Sequence, residues 1–175
     1  TLMTPSEHTL WLKEGKLERL ASCGRPCLRT TLAIMDDRGN LLGPDEIGEI
    51  VVRGNLITPG YYKNPSATEK VRAFNWHHTG DIGKTDEDGY FYIVDRKNDM
   101  IISGGFNIYP AEIEQALLSL PQIQDCAVVG IPDEKWGEAV TAVIEVIPGQ
   151  TLVKSAALQH CHSRLGRVKT PKTIV

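Results

Sequence analysis

The sequence predicts an α+β fold: a β-rich first part, then a smaller unit in which helices pack on a sheet. Three observations carry that expectation. Short apolar runs separated by Gly-, Asn- and Asp-rich turns fill the first half. A polar joint, Asp95-Arg96-Lys97-Asn98-Asp99, interrupts two strongly apolar runs. Beyond it the pattern reads strand, amphipathic helix, strand, strand, helix.

Each element has its own signal. Thr30–Met35 is apolar-rich and ends at the turn cluster Asp36-Asp37-Arg38-Gly39-Asn40, and Glu49-Ile50-Val51-Val52-Arg53 is a second strand closed by Gly54. Ser66-Ala67-Thr68-Glu69 has the spacing of a capping box, so a short helix is expected with Ser66 as its cap and Val71 facing inward. Ile82 and residues 90–94 flank Asp86-Glu87-Asp88-Gly89, the pattern of a hairpin. After the joint, Pro110 suits the first position of a helix whose positive end takes Glu112 and Glu114, and Pro121 stops it. Ile113, Ala116, Leu117 and Leu120 form one apolar stripe on that helix. Strands are expected over 125–131 and 139–146, then a helix over 153–165. The joint itself reads either as a hinge between two units or as a surface loop within one.

Composition narrows the function classes. The chain has 175 residues, room for one ordinary domain or two small ones. Its 19 Lys plus Arg against 22 Asp plus Glu give a net charge of −3, which excludes a nucleic-acid binder held mainly by phosphate contacts. Apolar runs such as Ala127-Val128-Val129 are too short to span a bilayer, and residues 1–8 carry no basic and apolar leader pattern. A soluble, cytoplasmic protein is the expectation. Cys23, Cys27, Cys126 and Cys161 lack a paired C-x-x-C spacing, so reduced thiols are favoured over a zinc site or a Cys23–Cys27 disulfide.

Phosphate-loop, dinucleotide-binding, nucleophile-elbow and metalloprotease motifs are all missing. His160-Cys161-His162 resembles a metal cluster only on paper, because residues two apart on a helix point to different faces, and His77-His78 reads as loop polarity. The remaining candidates sit in loops and turns. In Thr79-Gly80-Asp81 a carboxylate follows a glycine, a placement suited to accepting two hydrogen bonds from a cis-diol or to an ordinary turn. Arg96 suits a forked contact to ribose or phosphate oxygens or a surface ion pair. Ser103-Gly104-Gly105-Phe106-Asn107 is a glycine turn that backbone can bring close to a ligand, or a plain hairpin, and Trp136 is a ligand wall or satellite packing.

Read in order, Gly48-Glu49-Ile50-Val51-Val52-Arg53-Gly54 with Pro59-Gly60-Tyr61-Tyr62, His78-Thr79-Gly80-Asp81, the Asp95 to Ile101 block and Ser103 to Glu114 form one series. It closely resembles the AMP-forming acyl-CoA synthetase branch of the adenylate-forming enzymes, which include luciferases and peptide-synthetase adenylation domains. The resemblance covers nearly the whole chain. It implies that residues 1–95 are the last, distorted barrel-like subdomain of a large N-terminal domain and that 96–175 form most of a mobile C-terminal lid. The implied reaction joins a small-molecule carboxylic acid to ATP, with Mg2+, and then to coenzyme A, through an acyl-adenylate.

By the same resemblance, Asp81 holds the ribose hydroxyls and Arg96 supports that sugar from the other side of a flexible joint. Asn98 occupies the hinge position, where many members carry Asp or Lys. Gly104, Gly105 and Trp136 line the pantetheine tunnel; of the basic residues Arg167, Lys169 and Lys172 near the coenzyme A phosphates, Lys172 is foremost. The family's phosphate loop, magnesium-binding Glu and acyl pocket are expected in a missing N-terminal region, and its catalytic lysine beyond Val175. The expectation is thus a C-terminal fragment, inactive by itself. The alternatives are a fragment of a carrier-protein-loading adenylation domain and a non-enzymatic nucleotide- or partner-binding module.

Overall fold

Thr4-Pro5-Ser6-Glu7 starts a helix, α1 (Pro5–Glu14), that the strand-and-turn reading of this region passed over. Thr4 Oγ1 accepts from the Glu7 backbone N–H while the Glu7 carboxylate accepts from the Thr4 backbone N–H, a reciprocal capping box. Pro5 occupies the first position, and Gly15 ends the helix in the left-handed conformation with φ 70°. A single turn, α2 (Leu17–Leu20), follows. Trp11 is buried and meets Tyr90 edge-to-face, with ring centroids 6.0 Å apart, and the Tyr90 hydroxyl donates to Glu7 Oε1 at 2.8 Å. The helix is therefore held by residues some eighty positions further along the chain.

The computed structural model describes all 175 residues, which divide into two units, Thr1–Lys97 and Asn98–Val175. In the first, β1 (Thr30–Met35), β2 (Gly48–Gly54), β3 (His77–Thr85) and β4 (Phe91–Arg96) form one antiparallel sheet in that order. The sheet is open and does not close into a barrel. Alternation sends neighbouring side chains to opposite faces: Ile34, Ile50 and Phe91 pack on one side, Met35, Val51 and Trp76 on the other.

Helix α3 (Pro65–Lys70) lies between β2 and β3. Its cap is Asn64, whose side chain accepts from the Ala67 N–H at 3.1 Å, and not Ser66 as the spacing suggested. Pro65 explains the difference: its fixed φ and missing N–H favour the first helical position, which puts the cap one residue earlier. Val71 caps the other end and is half-buried.

The second unit begins with β5 (Ile101–Ser103) and β6 (Phe106–Ile108), a hairpin turned by Gly104-Gly105. Both glycines have positive φ, 60° and 81°, as a two-residue turn of this hand requires. Helix α4 (Pro110–Leu118) follows with Pro110 at its first turn and Ile113, Ala116 and Leu117 buried. Strands β7 (Ile123–Asp133) and β8 (Gly137–Val146) pair antiparallel over their full length. Helix α5 (Lys154–Lys169) breaks from helical geometry at Gly166, φ 76°, and β9 (Thr173–Ile174) then joins β8 in parallel. The sheet order is β6-β5-β8-β7, with β9 also on β8, and α4 and α5 cover it. Ile113, Leu117, Val140, Ala157 and Cys161 are fully buried there. No helix is long and apolar enough to cross a membrane.

Candidate functional site: a strand bulge and an indole edge

Thr79-Gly80-Asp81 is not a loop or a turn; it is a bulge inside a strand. Glu49 pairs with Ile82 and Val51 with His78, so three residues of β3, 79–81, stand opposite Ile50 alone. The bulge is fastened through Thr79 and Gly80. Thr79 Oγ1 donates to the Ile50 carbonyl at 2.7 Å and accepts from the Asp81 N–H at 3.1 Å. Gly80 turns the chain with φ 78°, a conformation that other residues adopt at a cost. Its N–H donates to Glu49 Oε1 at 3.1 Å, and its carbonyl accepts from the Lys97 N–H at 2.8 Å.

This geometry puts Asp81 directly across from Arg96 in the β3–β4 ladder. Both belong to the first unit, so they approach from one side of the joint and not from opposite sides as expected. The reason is the ladder itself: β4 continues through Arg96, and pairing keeps that residue on the sheet. Arg96 Nε lies 3.9 Å from Asp81 Oδ1, too long for a hydrogen bond, with side-chain exposures of 77% and 35%. An exposed pair this loose contributes little to stability, which leaves carboxylate acceptors and guanidinium donors for a ligand. Asp81 also lines a hollow of about 430 Å³ with Leu32, Val52, Ile57 and Ile93.

Behind the bulge lies a charged cluster that the sequence reading missed. Glu49, only 7% exposed, accepts from His78 Nδ1 at 2.9 Å and from Lys97 Nζ at 3.0 Å, besides the Gly80 N–H. Burial pushes its carboxyl up, but the His78 and Lys97 hydrogen bonds more than offset this and hold it below its ordinary value. Burial likewise pushes the Lys97 ammonium down, and Asp37, at 2.9 Å, together with Glu49 raises it above the usual lysine range. His78 Nε2 faces the Ala73 carbonyl at 3.2 Å, so this histidine is a connector and not loop polarity. Only the 29- to 48-residue separations hid the cluster; a charged residue in an apolar strand, Glu49 between Gly48 and Ile50, was the available signal.

Asn98 is exposed and is the first residue of the second unit. Within that unit, Gly104, Trp136 and Lys172 converge. The Gly104 N–H donates to the Trp136 carbonyl at 2.8 Å, and a Cβ on Gly104 would stand 3.0 Å from the indole ring. Lys172 Nζ lies 4.7 Å from the indole centroid and Lys135 Nζ 5.0 Å, so two ammonium groups lie against one indole ring. Lys172 is fixed there because its N–H donates to the Val140 carbonyl as the chain enters β9. Gly105 is exposed at the turn with no side-chain obstruction nearby. Lys169 instead pairs with Glu112 at the start of α4, and Arg167 is exposed on the last turn of α5. An aromatic ring with two cations against it and backed by a glycine turn suits a flat or anionic ligand.

The His160-Cys161-His162 group is divided by its helix. His160 Nε2 reaches Ser119 Oγ at 2.9 Å and the Ala116 carbonyl, Cys161 is buried in the core, and His162 is exposed. The four cysteines are free thiols. No group of three or more His, Cys, Asp or Glu side chains is placed to hold a metal ion. Arg53, Arg72, Trp76 and His77 line a second cavity of about 290 Å³. There Arg53 stacks on Trp76 at 3.9 Å and donates to the Asn75 carbonyl, and Arg72 donates to the Thr58 carbonyl; both guanidinium groups staple loops.

The family model described as AMP-binding enzyme matches residues 3–62, and that described as AMP-binding enzyme C-terminal domain matches 112–175. Medium/long-chain-fatty-acid–CoA ligase FadD8 of Mycobacterium tuberculosis is 42% identical over 168 residues, 90% of this chain and 29% of the relative. The structure of o-succinylbenzoate CoA synthetase from Bacillus subtilis, in complex with its acyl-adenylate intermediate, superposes with a TM-score of 0.81 at 36% identity. That match covers 93% of this chain and 33% of the other. Amide bond synthetase McbA from Marinactinospora thermotolerans superposes with a TM-score of 0.83 at 33% identity, covering 98% of this chain and 34% of its own. The chain thus spans about a third of the length of the relatives it matches. One family model falls in each unit, and on that ground the chain belongs to the AMP-binding, adenylate-forming enzymes and carries their C-terminal domain.

Proposed function

We propose that this chain is the C-terminal portion of an ATP-dependent, AMP-forming acyl-CoA synthetase. In the first half-reaction a carboxylate oxygen attacks the α-phosphorus of ATP, the bond to the β,γ-phosphates breaks, and pyrophosphate leaves the acyl-adenylate. In the second, the coenzyme A sulfur attacks the acyl carbon, its thiol proton is lost, and AMP departs with the electron pair of the acyl–oxygen bond. Mg2+ accompanies ATP in this reading, held by groups outside residues 1–175. Both steps gain mainly from positioning and charge stabilisation.

The observation that carries the reading is the bulge at Thr79-Gly80-Asp81, which stands a carboxylate across the ladder from an exposed guanidinium. Asp81 accepts from the two ribose hydroxyls, and Arg96 supports the same sugar from the adjoining strand. Asn98 is the pivot between residues 1–97, the last part of the large domain, and the 98–175 lid. Gly104, Gly105, Trp136 and Lys172 receive coenzyme A: the glycine turn leaves room for the thin pantetheine arm, and Lys172 answers the nucleotide's negative charge. The indole edge with its two cations favours coenzyme A over an amine or a carrier protein as the acceptor. We place the enzyme in the cytoplasm, in fatty-acid metabolism, and the 175-residue chain by itself is inactive.

The test incubates the full-length parent with ATP, Mg2+, coenzyme A and a panel of fatty and aromatic acids, with AMP and thioester read by chromatography. Acid-dependent AMP and thioester are expected from the parent and none from the chain by itself. Formation of ADP, or of AMP without thioester, would overturn the assignment.

A further inference from the structure

Glu49 is a buried carboxylate in a largely apolar strand. A buried carboxylate costs several kcal/mol of lost hydration unless fully paired, and an apolar residue in this strand avoids that cost. What its partners have in common is their place beside the proposed ribose site. His78 and Gly80 precede Asp81 by three residues and one on β3, and Lys97 follows Arg96 by one at the end of β4. The Lys97 N–H closes the loop by donating to the Gly80 carbonyl. A single carboxylate therefore ties the two strands at the residues flanking Asp81 and Arg96, while Asp37 holds Lys97 from its other side.

We propose that Glu49 is a positioning residue for nucleotide binding: through Gly80 and Lys97 it locks the bulge so that Asp81 and Arg96 present their acceptors and donors to one sugar. This rests on the functional reading above. Because Lys97 is the last residue of the first unit, the same anchor also ends the fixed part of the chain one residue before Asn98.

The experiment uses the full-length parent with Glu49→Gln, Lys97→Met, Asp81→Ala and the Glu49→Gln/Asp81→Ala double variant. Steady-state kinetics, melting temperature and amide hydrogen exchange at residues 80 and 81 are measured for each. Glu49→Gln is expected to raise the KM for ATP by about tenfold, with the KM for the acid within about twofold. Lys97→Met, which removes one donor from the partly exposed side of the cluster, is expected to act in the same direction and to fold normally. The double variant should be no worse than Asp81→Ala, because a positioning residue has no effect once the residue it positions is gone. Exchange at residues 80 and 81 should quicken in Glu49→Gln whatever the catalytic outcome. An unchanged KM for ATP, additive losses in the double variant, or unchanged exchange would overturn the inference. If the wild-type parent makes no AMP, the functional reading fails instead, and the exchange measurement still decides whether Glu49 holds the bulge.

Discussion

Asp81 and Arg96 face each other across the β3–β4 ladder with Arg96 Nε 3.9 Å from Asp81 Oδ1, close enough to share a ligand and too far to satisfy each other. Their spacing is set by neighbours, since the bulge is bonded through Thr79 and Gly80 and the strand end through Lys97.

Trp136→Ala and Lys172→Met in the parent enzyme should slow thioester formation by about tenfold each and leave acid-dependent pyrophosphate exchange within about twofold. Neither residue belongs to the unit that carries Asp81. Single-turnover measurements from preformed acyl-adenylate separate the two half-reactions. Equal slowing of both would remove the indole edge from coenzyme A binding.

Glu7 gives a pH dependence to the stability of the first unit. The Thr4 backbone N–H, the Thr4 hydroxyl, the Tyr90 hydroxyl and Arg25 all favour its charged form and lower it from 4.5 to about 2. A carboxylate depressed on folding contributes stability that is full above its unfolded value and is lost as the pH falls through its folded one. The melting temperature of wild type should therefore decline between pH 4.5 and about 2, more steeply than that of Glu7→Gln. Parallel curves for the two proteins would show that the capping box and the Tyr90 hydrogen bond do not favour the ionised carboxylate.

Leu117→Ala removes a side chain that is fully buried between α4 and the second sheet. A loss of about 2–5 kcal/mol is expected by urea titration, the range for cavities in well-packed cores. A loss below about 1 kcal/mol would mean that the core of this unit collapses around the gap.

Legibility in the sequence followed how local each signal was. Helix α4 could be read because Pro110, the acidic first turn and the Ile113, Ala116, Leu117 stripe lie within ten residues of one another. The Asp86–Gly89 turn was legible for the same reason, its Asp86 side chain bonding the next residues' N–H groups. Helix α1 was not, although Thr4 and Glu7 form the capping box, because Trp11 is its one buried side chain and Tyr90 is what buries it. Ser66 and Asn64 are both good caps, and only the effect of Pro65 separates them. At the candidate site, residue types marked Asp81, Gly104 and Trp136, the family resemblance marked Lys172, and the structure supplies their local geometry. Glu49 escaped because its partners come from 29, 31 and 48 residues away, and the one local sign of it was a charge in a largely apolar strand.

The central claim is that Asp81 holds the two hydroxyls of a nucleotide sugar. The most direct measurement is the ratio of kcat/KM for ATP to that for dideoxy-ATP, which lacks both hydroxyls, in the parent enzyme and in Asp81→Ala. Hydrogen bonds to a charged group are worth roughly 1.5–3 kcal/mol, so wild type should prefer ATP by about tenfold to a hundredfold. In Asp81→Ala the preference should fall to about one, with the melting temperature little changed because the lost carboxylate is partly exposed and only loosely paired with Arg96. The same preference in both proteins would contradict the claim.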